Sequence, residues 1–204
     1  MWLTCFIMLK KIVVLGPEST GKSTLCEQLA SHYNTMWCPE YAREYLLNYG
    51  NKYTYEDLLV IAKGQIQSEE NYARIAEDRL KQEFHERDTE AGTEPETRNP
   101  KLLFIDTDMH VMKVWSEFVY GKCHQFILDQ LANRKYDLFL LCNIDLPWVQ
   151  DELREYPDLK TRQILYGIYK ELMMGQSVPW TEISGDYGNR LTKAIETIEA
   201  LITE

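Results

Sequence analysis

Hydrophobic and polar positions divide this 204-residue chain into short apolar runs separated by amphipathic stretches. Lys11-Ile12-Val13-Val14-Leu15 has no polar break after its lysine and predicts a strand buried on both faces. Ser23–Tyr33 sets Leu25, Leu29 and Ala30 on one face, as in a helix. Asn34–Cys38 predicts a second strand closed by Pro39, and Glu40–Tyr49 a helix stopped by Gly50. From Thr54 to Arg87, Leu58, Ile61, Ala62, Ile66, Ala73, Ile75 and Ala76 recur opposite a charged face. Thr54 and Asp57 have capping-box spacing, and Gly64 predicts a kink or break. The stretch 88–100, with Gly92, Pro95 and Pro100, lacks periodicity and predicts a mobile surface loop, an insertion rather than a working part.

Lys101–Asp106 predicts a third strand, Asp108–Tyr120 and His124–Asn133 two helices, and Tyr136–Cys142 a fourth strand. Asn143–Asp158 is polar and irregular. Leu159–Met174 predicts a helix, Val178–Ile183 a fifth strand and Asp186–Ile202 a last helix. No internal repeat divides the chain, so one domain over 1–204 is expected, with a lid region at 143–162. Strands alternating with helices imply an α/β fold: a five-stranded parallel sheet with helices on both faces. Ligands of such sheets lie at the carboxyl ends of the strands. Gly16–Thr24, Glu40, Asp106 and Asn143 all fall at that edge.

Gly16-Pro17-Glu18-Ser19-Thr20-Gly21-Lys22-Ser23-Thr24 fits G-x-x-x-x-G-K-[ST], the phosphate-binding P-loop, and lies between a predicted strand and a predicted helix. In that setting backbone N–H groups and the positive end of the helix dipole converge on a polyphosphate. Lys22 is expected to reach the β- and γ-phosphates, and Ser23 to ligate Mg²⁺.

Composition narrows the partners. A formal net charge of −10 argues against a nucleic-acid ligand. The five cysteines are scattered, with no C-x-x-C, which points to a reduced cytoplasmic protein without a zinc site or disulfide framework. The apolar residues Met1–Leu9 lack a basic flank and a cleavage site and fall short of the roughly 20 residues that span a bilayer, so no membrane partner is expected. Met8 is the expected natural start, with the residues before it an extension.

Several side chains could carry chemistry beside the P-loop. Asp106 ends an apolar strand, where an acid can hold Mg²⁺ with Ser23; an ordinary strand-end turn is the alternative. Asp108 could assist the metal, bind substrate hydroxyls, or cap the next helix. Glu40 could accept the proton of an attacking hydroxyl, with Glu44 a second candidate base. Arg43, one turn on, could neutralise phosphate, orient Glu40, or form a plain ion pair. Trp148–Arg154 with Arg162 forms an arginine-bearing segment suited to closing over ATP, or to surface salt bridging. Trp37, Tyr41 and Trp115 could line an acceptor pocket or sit in the core. No N-K-x-D occurs, which argues against a guanine-specific switch, and the histidines make no metal pattern.

The P-loop residues resemble those of the ribosylnicotinamide kinase domain found in bifunctional NMN adenylyltransferase/ribosylnicotinamide kinase proteins. The likeness extends to Pro39-Glu40-Tyr41-Ala42-Arg43-Glu44, Phe104-Ile105-Asp106-Thr107-Asp108, Trp148–Arg154 and Asp186-Tyr187-Gly188-Asn189-Arg190, in the family's order. The resemblance implies a P-loop kinase that moves the ATP γ-phosphate to the 5′-hydroxyl of nicotinamide riboside, giving NMN for NAD salvage. It implies that Gly16, Ser19, Thr20, Gly21, Lys22, Ser23, Thr24 and Arg154 bind ATP, and that Ser23 and Asp106 bind Mg²⁺. By matching position Lys22, Glu40, Asp106 and Arg154 are the expected catalytic residues, and Glu40 and Arg43 are expected to face the acceptor; Tyr41 and Asp108 join them as acceptor-binding candidates on their own chemistry. No H-x-G-H of an adenylyltransferase half occurs. Asp151-Glu152-Leu153-Arg154 replaces the family's Asp-Gly-Leu-Arg, and 88–100 is longer than the family's connection. A kinase of another nucleoside, or a nucleotide-binding module that senses NAD precursors, are the alternatives.

Overall fold

The computed structural model describes residues 9–89 and 101–203. Five parallel strands form one sheet: β1 (Lys10–Leu15), β2 (Met36–Cys38), β3 (Leu102–Asp106), β4 (Leu138–Cys142) and β5 (Trp180–Ile183), in the order β2-β3-β1-β4-β5. The chain runs from central β1 out to β2, returns to β3, then crosses to β4 and β5 on the other side. The connections therefore diverge between the carboxyl ends of β1 and β3, which opens a crevice there. Val14 is in register with Asp106, so the strand leading into the P-loop and the acid at the end of β3 are brought side by side.

Both faces of the sheet are covered because the strands are apolar on both. Ile12, Val14, Phe104 and Leu140 pack against Leu25 and Leu29 of α1 (Lys22–His32) and Ala194 and Ile198 of α7 (Tyr187–Thr203). Val13, Leu15, Ile105 and Phe139 pack against α3 (Tyr55–Thr89), α4 (Met109–Tyr120) and α6 (Leu159–Met174). A separate cluster, including Ala42, Leu58, Ile61, Met109 and Ile127, joins α2 (Tyr41–Tyr49) and α5 (Gln125–Asn133) to α3 and α4.

The Thr54–Asp57 capping box forms: Thr54 N–H donates to Asp57 Oδ2 at 2.7 Å and Asp57 N–H to Thr54 Oγ1 at 3.3 Å. The break expected at Gly64 does not occur, since α3 runs through it to Thr89. Gly64 has another cause. A Cβ there would lie 2.1 Å from the Tyr41 ring, so glycine lets α2 close on α3. Residues 90–100 of the expected loop, and the expected start at Met8, lie outside the described residues. Among the described residues no helix is long and apolar enough to cross a membrane, and the four cysteines are free.

Candidate active site

The crevice holds a cavity of about 380 Å³ floored by the P-loop. Backbone conformation explains the glycines of that loop. Gly16 has φ 136°, and a Cβ on it would lie 2.7 Å from the Cys142 carbonyl, so any side chain would collide with the end of β4. Gly21 has φ 77° at the entry to α1. Thr20 Oγ1 donates to the Pro17 carbonyl at 2.7 Å, and Lys22 Nζ donates to the same oxygen at 3.1 Å. The lysine thus folds over the loop it serves, where its charge can meet phosphate.

Beside Lys22, Ser23 Oγ donates to Asp106 Oδ2 at 2.5 Å. Asp106 is fully buried. Burial, and then the nearby Glu40 carboxylate, push its pKa up to about 6 against the pull of Lys22, Ser23 and Thr107. A hydroxyl and a buried, under-compensated carboxylate form a donor pair suited to a hard divalent cation that takes its remaining oxygens from phosphate and water. Thr107 holds the turn after Asp106 at φ 72°, an uncommon conformation for a β-branched residue. Its N–H donates to Val14 O at 3.2 Å, and its carbonyl accepts from Gln65 Nε2 at 2.9 Å. Gln65 Oε1 accepts from Tyr41 N–H at 2.8 Å. One buried side chain of α3 therefore ties the residue after Glu40 to the residue after Asp106, and sets the two carboxylates relative to each other.

The segment 143–158 folds onto the P-loop. Glu18 accepts from the backbone N–H of Glu155 at 3.0 Å and of Tyr156 at 2.5 Å, and Val149 N–H donates to Ser19 Oγ at 3.1 Å. Burial raises the Glu18 pKa, and those two N–H groups hold it back. Arg43 reaches across from α2 to Asp151 Oδ2 at 2.9 Å and lowers that carboxyl's pKa. Arg154 donates to the Val149 carbonyl at 2.5 Å. Arg162 lies buried on α6 over the Trp148 ring at 5.5 Å, with its Nε unpartnered, and burial lowers its pKa.

Gly16, Ser19, Thr20, Gly21, Lys22, Ser23, Thr24, Glu40, Arg43 and Arg154 all line the cavity, with Asp106 joined to it through Ser23. Trp115 lines it too, donating its indole N–H to Tyr53 Oη at 2.8 Å; Tyr53 in turn donates to Glu155 at 2.8 Å. Other candidates sit elsewhere. The Tyr41 ring lies on Gly64, and Trp37 packs in the core beside α1 and α7. Asp108 caps α4, accepting from His110 N–H at 3.0 Å with His110 Nδ1 at 2.6 Å from its other oxygen. Glu44 is exposed and outside the lining. Glu18, Tyr53 and Gln65 were not foreseen from sequence. Only Glu18 carried a signal, as an acid inside an anion-binding loop.

A family profile described as an AAA domain matches residues 11–190. The chain belongs to this AAA-domain family. Two curated relatives of this AAA-domain chain are the trifunctional NAD biosynthesis/regulator proteins NadR of Salmonella typhimurium (strain LT2) and Escherichia coli (strain K12). Each is 25% identical across 96% of the chain, which spans 43% of the relative's length. The chain is thus homologous to less than half of each NadR protein. A crystal structure of NadR protein in complex with NR superposes at TM-score 0.69 with 19% identity, over 95% of this chain and 49% of that one. Thymidylate kinase from Ehrlichia chaffeensis superposes at TM-score 0.60 with 12% identity, over 93% and 98%. These likenesses show the five-stranded P-loop kinase fold.

Proposed function

We propose that this chain is an ATP-dependent nucleoside kinase that transfers the γ-phosphoryl group to the 5′-hydroxyl of nicotinamide riboside, giving NMN and ADP. The observation that carries the reading is the cavity in which the P-loop, Glu40 and the arginine-bearing segment meet. Homology to NadR proteins of NAD biosynthesis favours this acceptor, as does the superposition on NadR protein in complex with NR. Phosphoryl transfer asks mainly for positioning and charge stabilisation. The P-loop N–H groups and Lys22 hold the phosphates, and Ser23 with Asp106 would hold Mg²⁺, which would supply positive charge to offset that of the triphosphate. Glu40 accepts the 5′-hydroxyl proton as the new O–P bond forms and the bond to ADP breaks. Arg43 and Arg154 bring positive charge to the transferring group, and the closed 143–158 segment keeps out competing water. Aromatic faces at Tyr53 and Trp115, with the carboxylates of Glu40 and Glu155, suit the cationic nicotinamide ring.

ADP formation by the purified chain with ATP, Mg²⁺ and a nucleoside panel tests this. Stimulation confined to nicotinamide riboside is expected. Stimulation by a different nucleoside would keep the chemistry and replace the acceptor. ATP binding without acceptor-stimulated ADP would favour a module that senses NAD precursors.

A further inference from the structure

Arg190 opens the last helix, far in sequence from the P-loop, yet its side chain is only 2% exposed. The guanidinium is spent on three loops at the carboxyl edge. Nη1 donates to the Thr20 carbonyl at 2.8 Å, Nε to the Gly185 carbonyl at 2.7 Å, and Nη2 to the Asn143 carbonyl at 2.9 Å and to the Asp145 carboxylate. Asp145 closes the ring by accepting from Gly185 N–H at 2.6 Å. An arginine that only filled space would not need donors aimed at three backbone carbonyls.

The Thr20 contact has a consequence for the loop. The Thr20–Gly21 peptide is planar and trans, so its C=O and N–H point in opposite directions. Gly21 lines the cavity and Arg190 does not. Holding the Thr20 oxygen on Arg190 therefore turns the Gly21 N–H toward the cavity. At φ 77° Gly21 accommodates this orientation, and the space beside it is tight: a Cβ there would lie 3.0 Å from Leu146 and 3.3 Å from Tyr187.

We propose that Arg190 is a positioning residue for phosphate binding, which aims the Gly21 N–H at the donor polyphosphate by fixing the Thr20 carbonyl. It rests on the reading of the cavity as a nucleotide site. The effect should fall on the donor and spare the acceptor, because Arg190 touches only the P-loop side and the ends of β4 and β5.

Calorimetric titration of the full chain with ATP, and separately with nicotinamide riboside, tests this in Arg190→Met and Arg190→Lys, each checked for folding by circular dichroism. Arg190→Met should weaken ATP by about tenfold or more, the scale of one charge-assisted hydrogen bond. Riboside affinity should stay within about twofold of wild type. Arg190→Lys, which keeps a donor but loses the fork, should lie between, and it decides the matter if the methionine variant does not fold. Wild-type ATP affinity in a folded variant would overturn the proposal, as would equal losses for ATP and riboside. If wild-type protein binds ATP but not the riboside, the acceptor assignment fails. A loss of ATP affinity in a folded variant then still supports the role of Arg190, and its absence still overturns it.

Discussion

Two buried carboxylates stand at opposite edges of the same sheet and are treated in opposite ways. At the amino edge, Glu69 of α3 is 1% exposed and fully compensated. Lys11 Nζ lies 3.2 Å and Arg134 Nη2 2.9 Å from its Oε1, and Tyr136 Oη donates to Oε2 at 3.0 Å. At the carboxyl edge, Asp106 is equally buried, and among the described residues its hydrogen-bond donors are two hydroxyls, of Ser23 and Thr107; burial, and then the Glu40 charge, raise its pKa. Lys22, whose charge pulls that pKa down, is turned to a backbone carbonyl. The residue after Asp106 is held in left-handed backbone. The fold can pair a buried acid when pairing is all that is needed. On the proposed function, leaving Asp106 under-compensated suits the edge where an outside cation and phosphate would bind.

Substitutions at the two acids should separate in sign. Asp106→Asn should lower turnover by about 10²-fold or more, read as initial rate of ADP formation, because a metal and phosphate support is lost. Glu69→Gln should leave turnover per folded molecule unchanged and lower stability by about 3 kcal/mol in urea melts, since two cations lose their buried partner. Asp106→Asn should move stability of the free protein the other way, upward by about 2 kcal/mol, by removing a poorly solvated charge.

The pH dependence follows from the same group. With its folded pKa near 6 against 3.8 in the unfolded chain, Asp106 binds more protons folded than unfolded between those values. Its contribution therefore favours folding at low pH and is lost as pH rises from about 4 to about 6. The Asp106→Asn melts should lack that component. The smallest loss of stability is expected at Arg43→Ala, which severs the exposed pair to Asp151: less than about 1 kcal/mol, against the larger loss at Glu69.

What the sequence disclosed follows from how local each signal is. The P-loop, the end of β3 at Asp106 and the Thr54–Asp57 cap are set by spacing within a few residues, and each lies where expected. Strand order is also consistent with alternating strands and helices, because parallel strands need crossovers. Gly64 misled because its reason is the ring of Tyr41 on another helix. For Asp108 local sequence could not choose between capping and the site; the turn at Thr107 accompanies its capping of α4. Glu18 and Arg190 bond to partners 138 and 170 residues away, contacts that local spacing does not report.

The central claim is transfer to the riboside 5′-oxygen, and product analysis tests it most directly. Wild-type chain incubated with ATP, Mg²⁺ and nicotinamide riboside should yield NMN and ADP in equal amounts by mass spectrometry, with both lost in Lys22→Ala. ADP accumulating without NMN, or NMN formed equally well by Lys22→Ala, would contradict it.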